Sequence, residues 1–172
     1  MRHNWIGFLS LVLCSWVGVS CGGTGEKACT YKPPEPIFKD IAGLDNHEIE
    51  LTGNNSFERI DIPDPSFNLS IELYQSGCDI RRQEYRIITH EPYEASTPAS
   101  VCVAHIANIF RLLAERNSVK LGALYGMGDI LLQNAQRFEY NEKVPIREGG
   151  VFVQVDKTHQ TNGAILSLVI SE

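Results

Sequence analysis

No stretch of this chain stays apolar for the roughly 20 residues that a helix needs to cross a bilayer; its longest apolar and small-residue run, Trp5 to Val19, has fifteen. There is no Cys-x-x-Cys and no histidine cluster at ligand spacing, so neither a metal nor a cofactor is expected. Gly122, Gly126 and Gly128 lack the spacing of a dinucleotide fingerprint, and Gly128 is followed by Asp129 where a Walker loop carries lysine. Nucleophile elbow, His-Glu-x-x-His and EF-hand patterns are absent as well. Basic residues are scarce, fifteen against twenty-one acidic ones, a balance that argues against nucleic acid and against electrostatic attachment to anionic lipid. No internal repeat is found.

What is present is concentrated at the start. Met1-Arg2-His3-Asn4 places a positive charge ahead of the apolar run, and Gly18-Val19-Ser20-Cys21 closes it, the layout of an export signal. The boundary resembles the lipobox of bacterial lipoproteins. Ser20 and Val19 fit the small and permissive positions, while Gly18 stands where an aliphatic residue is usual. Cys14 has Leu11 at the right distance, but bulky Leu13 stands directly before it, so Cys21 is preferred. The resemblance covers residues 1–22 and implies a signal peptide over 1–20, lipidation of Cys21 and anchorage to a membrane through that N-terminal lipid. It also implies location in the bacterial cell envelope, at the outer membrane or periplasmic face, because Gly22 rather than Asp follows the cysteine. The other reading is an ordinary signal cut after Ser20, leaving a soluble periplasmic protein.

Removal of residues 1–20 takes Arg2 with it and leaves 152 residues with fourteen basic and twenty-one acidic side chains. That length suits one domain. Gly22-Gly23-Thr24-Gly25 and Lys32-Pro33-Pro34-Glu35-Pro36 read as a flexible piece joined to a stiff one, a stalk over residues 21–37 ahead of a domain over 38–172. Export favours disulfides among Cys29, Cys78 and Cys102. The expected pair is Cys78 with Cys102, which bracket a candidate strand and the start of a candidate helix, with Cys29 left in the stalk.

In the domain, Glu58, Ile60 and Ile62 alternate with Phe57, Arg59 and Asp61 up to Pro63-Asp64-Pro65. Phe67, Leu69, Ile71 and Leu73 then form the clearest half-buried strand, and Gln83 to His90 returns antiparallel with Tyr85, Ile87 and Thr89 on one side. Thr97 reads as an N-cap and Pro98 as the first position of a helix running to Arg116, with Cys102, Ile106, Ile109 and Leu113 on its stripe. Val119, Leu121, Ala123 and Tyr125 alternate like a strand, and residues 129–140 fit helix or strand. Val151, Val153 and Val155 lead through Asn162-Gly163 to Leu166, Leu168 and Ile170, a hairpin signal of type I′. With that turn, Val155 is expected opposite Ile170 and Lys157 opposite Leu168. The pattern predicts an α+β fold, an antiparallel sheet with one amphipathic helix packed on it; a β-sandwich with one helix is the alternative.

Two constellations hold chemistry on paper. Cys102 and His105 lie three apart on one helix and form a possible thiolate-imidazole pair. Exported peptidoglycan peptidases open such a helix with Asp-Cys-Ser-Gly, however, whereas Val101-Cys102-Val103 falls near the fifth helical position, on the apolar stripe. His90 and Glu91 end a strand with no third residue assignable. His159 reads as a solvated histidine, and Asp61 with Asp64 or Glu139 with Glu142 as acidic surface. No catalytic residue is therefore expected. The reading is a lipid-anchored, non-enzymatic interaction protein with a protein or envelope-component partner, in an inhibitor, immunity or assembly role. The alternative is an envelope hydrolase using Cys102/His105 or His90/Glu91.

Overall fold

The structure, a computed structural model, describes residues 33–64, 67–77, 82–90, 93–147 and 150–172. Four strands, β1 (Asp45–Thr52), β2 (Asn55–Asp64), β3 (Phe67–Ser76) and β4 (Arg82–Thr89), precede two helices, α1 (Ala99–Arg116) and α2 (Ser118–Asn134). A short 3-10 turn at Ala135–Arg137 leads into β5 (Lys143–Arg147), β6 (Val151–Gln160) and β7 (Gly163–Ser171). All seven strands form one antiparallel sheet in the order β1-β2-β3-β4-β7-β6-β5. The fold is the expected α+β arrangement, with helices on an antiparallel sheet.

Period-two patterning decides which sheet face is inner. Ile60 and Ile62 of β2, Leu69, Ile71 and Leu73 of β3, Tyr85 and Ile87 of β4, Leu166 and Leu168 of β7, and Val153 and Val155 of β6 are all buried. Both helices lie on this side. Phe110 of α1 meets the Tyr85 ring edge-on at 4.8 Å, and Leu121 and Leu124 of α2 line a cleft with Tyr85 and Ile170.

Three local expectations are corrected. Residues 119–125 are helix, not strand. The buried positions of α2 are Leu121, Leu124, Gly128 and Leu131, spaced three, four and three, and this stripe is hard to see in the sequence because one member is a glycine. Gly128 is there for closeness of approach, since a Cβ on it would stand 2.8 Å from the Ala107 carbonyl oxygen of α1. Residues 129–134 belong to the same helix. At the start of α1, Pro98 rather than Thr97 is the N-cap, without a side-chain cap, and the Pro98 carbonyl accepts from Val101 N and Cys102 N. Asn117 does cap α2, its Oδ1 accepting from Lys120 N at 3.2 Å.

The third correction concerns the last hairpin. Gln160 pairs with Gly163, Val155 with Leu168 and Lys157 with Leu166, so Thr161 and Asn162 form the turn and the register differs by two from a turn on Asn162-Gly163. Neither Thr161 nor Asn162 takes the positive φ of a type I′ turn; Gly163, the first residue of β7, has φ +146°. The glycine is required by its neighbour strand, because a Cβ at 163 would lie 1.9 Å from the Thr89 carbonyl oxygen of β4.

Gly163→Ala is therefore expected to lower stability by about 2 kcal/mol or more, through a forced separation of β7 from β4. Asn162→Ala, at a position with negative φ, is expected to change it by less than about 0.5 kcal/mol. Urea unfolding of both variants checks the pair; a large loss in Asn162→Ala with little in Gly163→Ala contradicts this register.

Candidate functional site

The candidate catalytic pair does not stand ready for nucleophilic work. Cys102 carries a free, buried thiol. The helical stripe turns Sγ inward, 3.0 Å from Tyr140 Oη; Cys78 lies outside the described residues. Tyr140 Oη donates in turn to the Thr97 carbonyl at 2.7 Å. Lys157 Nζ sits 5.0 Å from the centroid of the Tyr140 ring and donates to the carbonyls of Glu94, Ala95 and Thr97 at 2.8, 3.2 and 3.1 Å. Burial pushes the Cys102 thiol up, against the smaller opposing pulls of the Tyr140 hydrogen bond and the Lys157 charge. Burial also raises the Tyr140 phenol. A raised thiol is a poor source of thiolate. His105 packs its ring edge-on against Tyr93 at 5.7 Å. The cluster fastens the loop before α1 to β6.

His90 is exposed at the end of β4, and its proposed partner Glu91 lies outside the described residues. His159 is exposed on β6. Asp61 is tied to Asn46 Nδ2 at 2.6 Å and Ser70 Oγ at 2.5 Å, hydrogen bonds that hold its carboxyl below the usual range. Cys21 and Cys29 are outside the described residues. Among the described residues no group of three or more His, Cys, Asp or Glu side chains is placed to hold a metal.

Sequence reasoning missed a buried polar cluster. Glu58 is fully buried on the inner face of β2. It accepts from Ile37 N at 2.6 Å and Phe38 N at 2.9 Å and meets His47 Nε2 at 3.2 Å. Beside it, Gln83 Nε2 donates to Gln75 Oε1 at 3.0 Å, while Gln75 Nε2 donates to Ser56 Oγ at 3.1 Å and to the Glu35 carbonyl at 3.4 Å. These groups clasp residues 33–44 as a strap that buries Pro34, Phe38 and Ile41. Arg116 Nη1 on the Gly43 carbonyl at 2.7 Å and Lys120 Nζ on the Lys39 carbonyl at 2.9 Å hold its far end to the helix tips. The signal was available, since Glu58 is in phase with Ile60 and Ile62, and Gln75 with Leu69, Ile71 and Leu73.

The outer face of the sheet is the surface best furnished for recognition. Among the described residues no helix covers it. One cross-strand row runs Glu48, Arg59, Glu72, Arg86, Ser167 and Asp156. Arg59 and Arg86 share Glu72 at 3.7 and 3.1 Å. In the next row Tyr74 packs against Phe57, the rings tilted by 41° with centroids 4.8 Å apart, and Arg86 sits 5.9 Å from the Tyr74 centroid. Toward β6 the face carries Ile88, Val169 and Phe152 interspersed with Ser167, Gln154 and Asp156. Tyr74 is 39% and Phe152 37% exposed. Exposed tyrosine and arginine beside aliphatic side chains are the residue types that dominate protein interfaces.

Two outcomes are expected from the inner face. Folded protein at neutral pH should leave Cys102 unlabelled by a thiol reagent that labels it fully after denaturation; rapid labelling of Cys102 in the native state contradicts the clasp by Tyr140. Glu58→Leu orphans two amides and should cost on the order of 3 kcal/mol, with hydrogen exchange rising first in residues 35–44. Comparison of the chain with protein-family models, with curated proteins and with solved structures finds no match.

Proposed function

We propose that this chain is a lipid-anchored envelope lipoprotein that works as a non-enzymatic binding protein, presenting the outer face of its sheet to a protein or envelope component. The observation that carries the reading is that face, with Tyr74 exposed beside the Arg59–Glu72–Arg86 ladder and Phe152 exposed two strands beyond β4 on β6. The burial of Cys102, which pushes its thiol up and away from the thiolate, supports binding over hydrolysis. The export signal and Cys21 support the anchor. The lipid holds the domain at the envelope, and the sheet face supplies specificity there.

A photo-crosslinking residue at Tyr74 or Phe152 of the full chain is expected to give one discrete adduct in the cell envelope, whereas the same residue at Val119, on the helix layer and 95% exposed, gives none. Arg86→Glu should weaken the adduct by about tenfold. Mass measurement of membrane-extracted protein should show an acylated Cys21, and Cys21→Ser should release the chain. A thiol-only Cys21, or turnover of peptidoglycan, ester or peptide substrates that disappears in folded Cys102→Ser with His105→Asn, overturns the proposal.

A further inference from the structure

The two edges of the sheet are built differently. β5 is five residues long, carries Pro145 at its centre and Lys143 and Arg147 near its ends, and is broken by a register shift between Pro145 and Arg147. These are the devices that keep an edge from pairing. β1 is shifted once, between Asp45 and Glu48, but from Glu48 to Thr52 its register with β2 is unbroken, it has no proline, and its charges, Glu48 and Glu50, are acidic only. A two-residue turn joins β1 to β2, with Gly53 at φ +58° in its first position and Thr52 opposite Asn55. In such a hairpin the closing pair is hydrogen bonded and the pairs alternate from there. Ile49 and Leu51 thus turn their amides and carbonyls away from β2, toward the open edge.

The side chains repeat the alternation. Glu48 and Glu50 fall on the outer face with Arg59 and Phe57, and Ile49 and Leu51 on the inner face with Glu58 and Ser56. Ile49 is 37% and Leu51 53% exposed, beyond the cover of helices and strap. We propose that this edge docks an extended basic segment of a partner protein, added as a further strand with lysine or arginine facing Glu48 and Glu50 and apolar side chains extending the Ile49 and Leu51 row. The inference rests on the reading of this chain as a binding protein and supplies the chemistry of its partner. A second copy fits poorly. β1 against β1 brings the glutamates of both copies together, and β5 of a second copy has the right charges but lacks an amide at Pro145.

The test titrates the full chain at low salt with a short fluorescent peptide alternating lysine with valine, its scrambled isomer, and its counterpart with glutamate for lysine. The alternating peptide is expected to bind at least about tenfold more tightly than either control and to weaken as salt rises. Leu51→Pro removes one outward amide while sparing the pairing with β2, and should lose about tenfold, whereas Leu51→Ala keeps most of the affinity. Glu48→Lys with Glu50→Lys should lose as much, and decides the matter should the proline variant fail to fold. Equal binding of the scrambled peptide, unchanged binding by the folded variants, or self-association that Leu51→Pro abolishes overturns the proposal. Adducts at the outer face without peptide binding leave the binding reading standing and remove the edge alone.

Discussion

A seven-stranded sheet is wider than two helices. At about 4.8 Å between strands the sheet spans roughly 29 Å, whereas two packed helices cover about 20 Å. The inner face therefore needs a third covering element on the β1 side, and the strap over residues 33–44 fills that place with Phe38 and Ile41. Within the strap the Ile41 amide reaches the Phe38 carbonyl at 3.4 Å, but the buried amides of Ile37 and Phe38 need acceptors from the sheet. Glu58 answers this need by taking the amides of Ile37 and Phe38 on its two oxygens. Burying that carboxylate is tolerable only because every contact is present together, which makes the strap, β2 and His47 of β1 one cooperative unit.

The same shortage of cover explains the exposed edge. Helices and strap together reach β2, and β1 lies beyond them with Ile49 and Leu51 open. Such a strand is a liability unless charge restrains it. Glu48 and Glu50 discourage pairing with another acidic edge while leaving a basic one acceptable. The domain's excess of acidic over basic residues works in the same direction.

Legibility in the sequence followed how local each determinant is. β3 and β4 were readable because Leu69, Ile71, Leu73, Tyr85 and Ile87 keep strict period two against a dry face. α1 was readable from its stripe of Cys102, Ile106, Ile109 and Leu113. α2 was not, because its contact with α1 depends on the missing side chain of Gly128, and an absence carries no hydrophobic signal. The turn at Thr161-Asn162 was displaced by one residue because Gly163 answers to Thr89, seventy-four positions earlier in the chain. The candidate site divides in the same manner. Burial of Cys102 was legible from its stripe, while its partners Tyr140 and Thr97 come from distant segments. Glu58 showed its inward phase, but no pattern announces that residues 37 and 38 will supply its donors.

Among the described residues the outer face has no covering layer, and its charges are arranged across the strands accordingly. Along the middle row, charges alternate from Glu48 through Arg59 and Glu72 to Arg86, so each arginine stands between strands where a carboxylate neighbours it. This ladder holds Glu72 nearly buried without a covering layer. Exposed pairs of this kind contribute little to folding; their larger effect is to set which surfaces are tolerated against them. On the same face Val169 and Phe152, set among polar neighbours, offer area that water does not favour. Under the proposed reading a partner meets both at once, matching charge along the row from Glu48 to Arg86 while burying Val169 and Phe152. A surface mixed in this way discriminates by mismatch, because a purely apolar partner strands the arginines and a purely charged one leaves Phe152 wet.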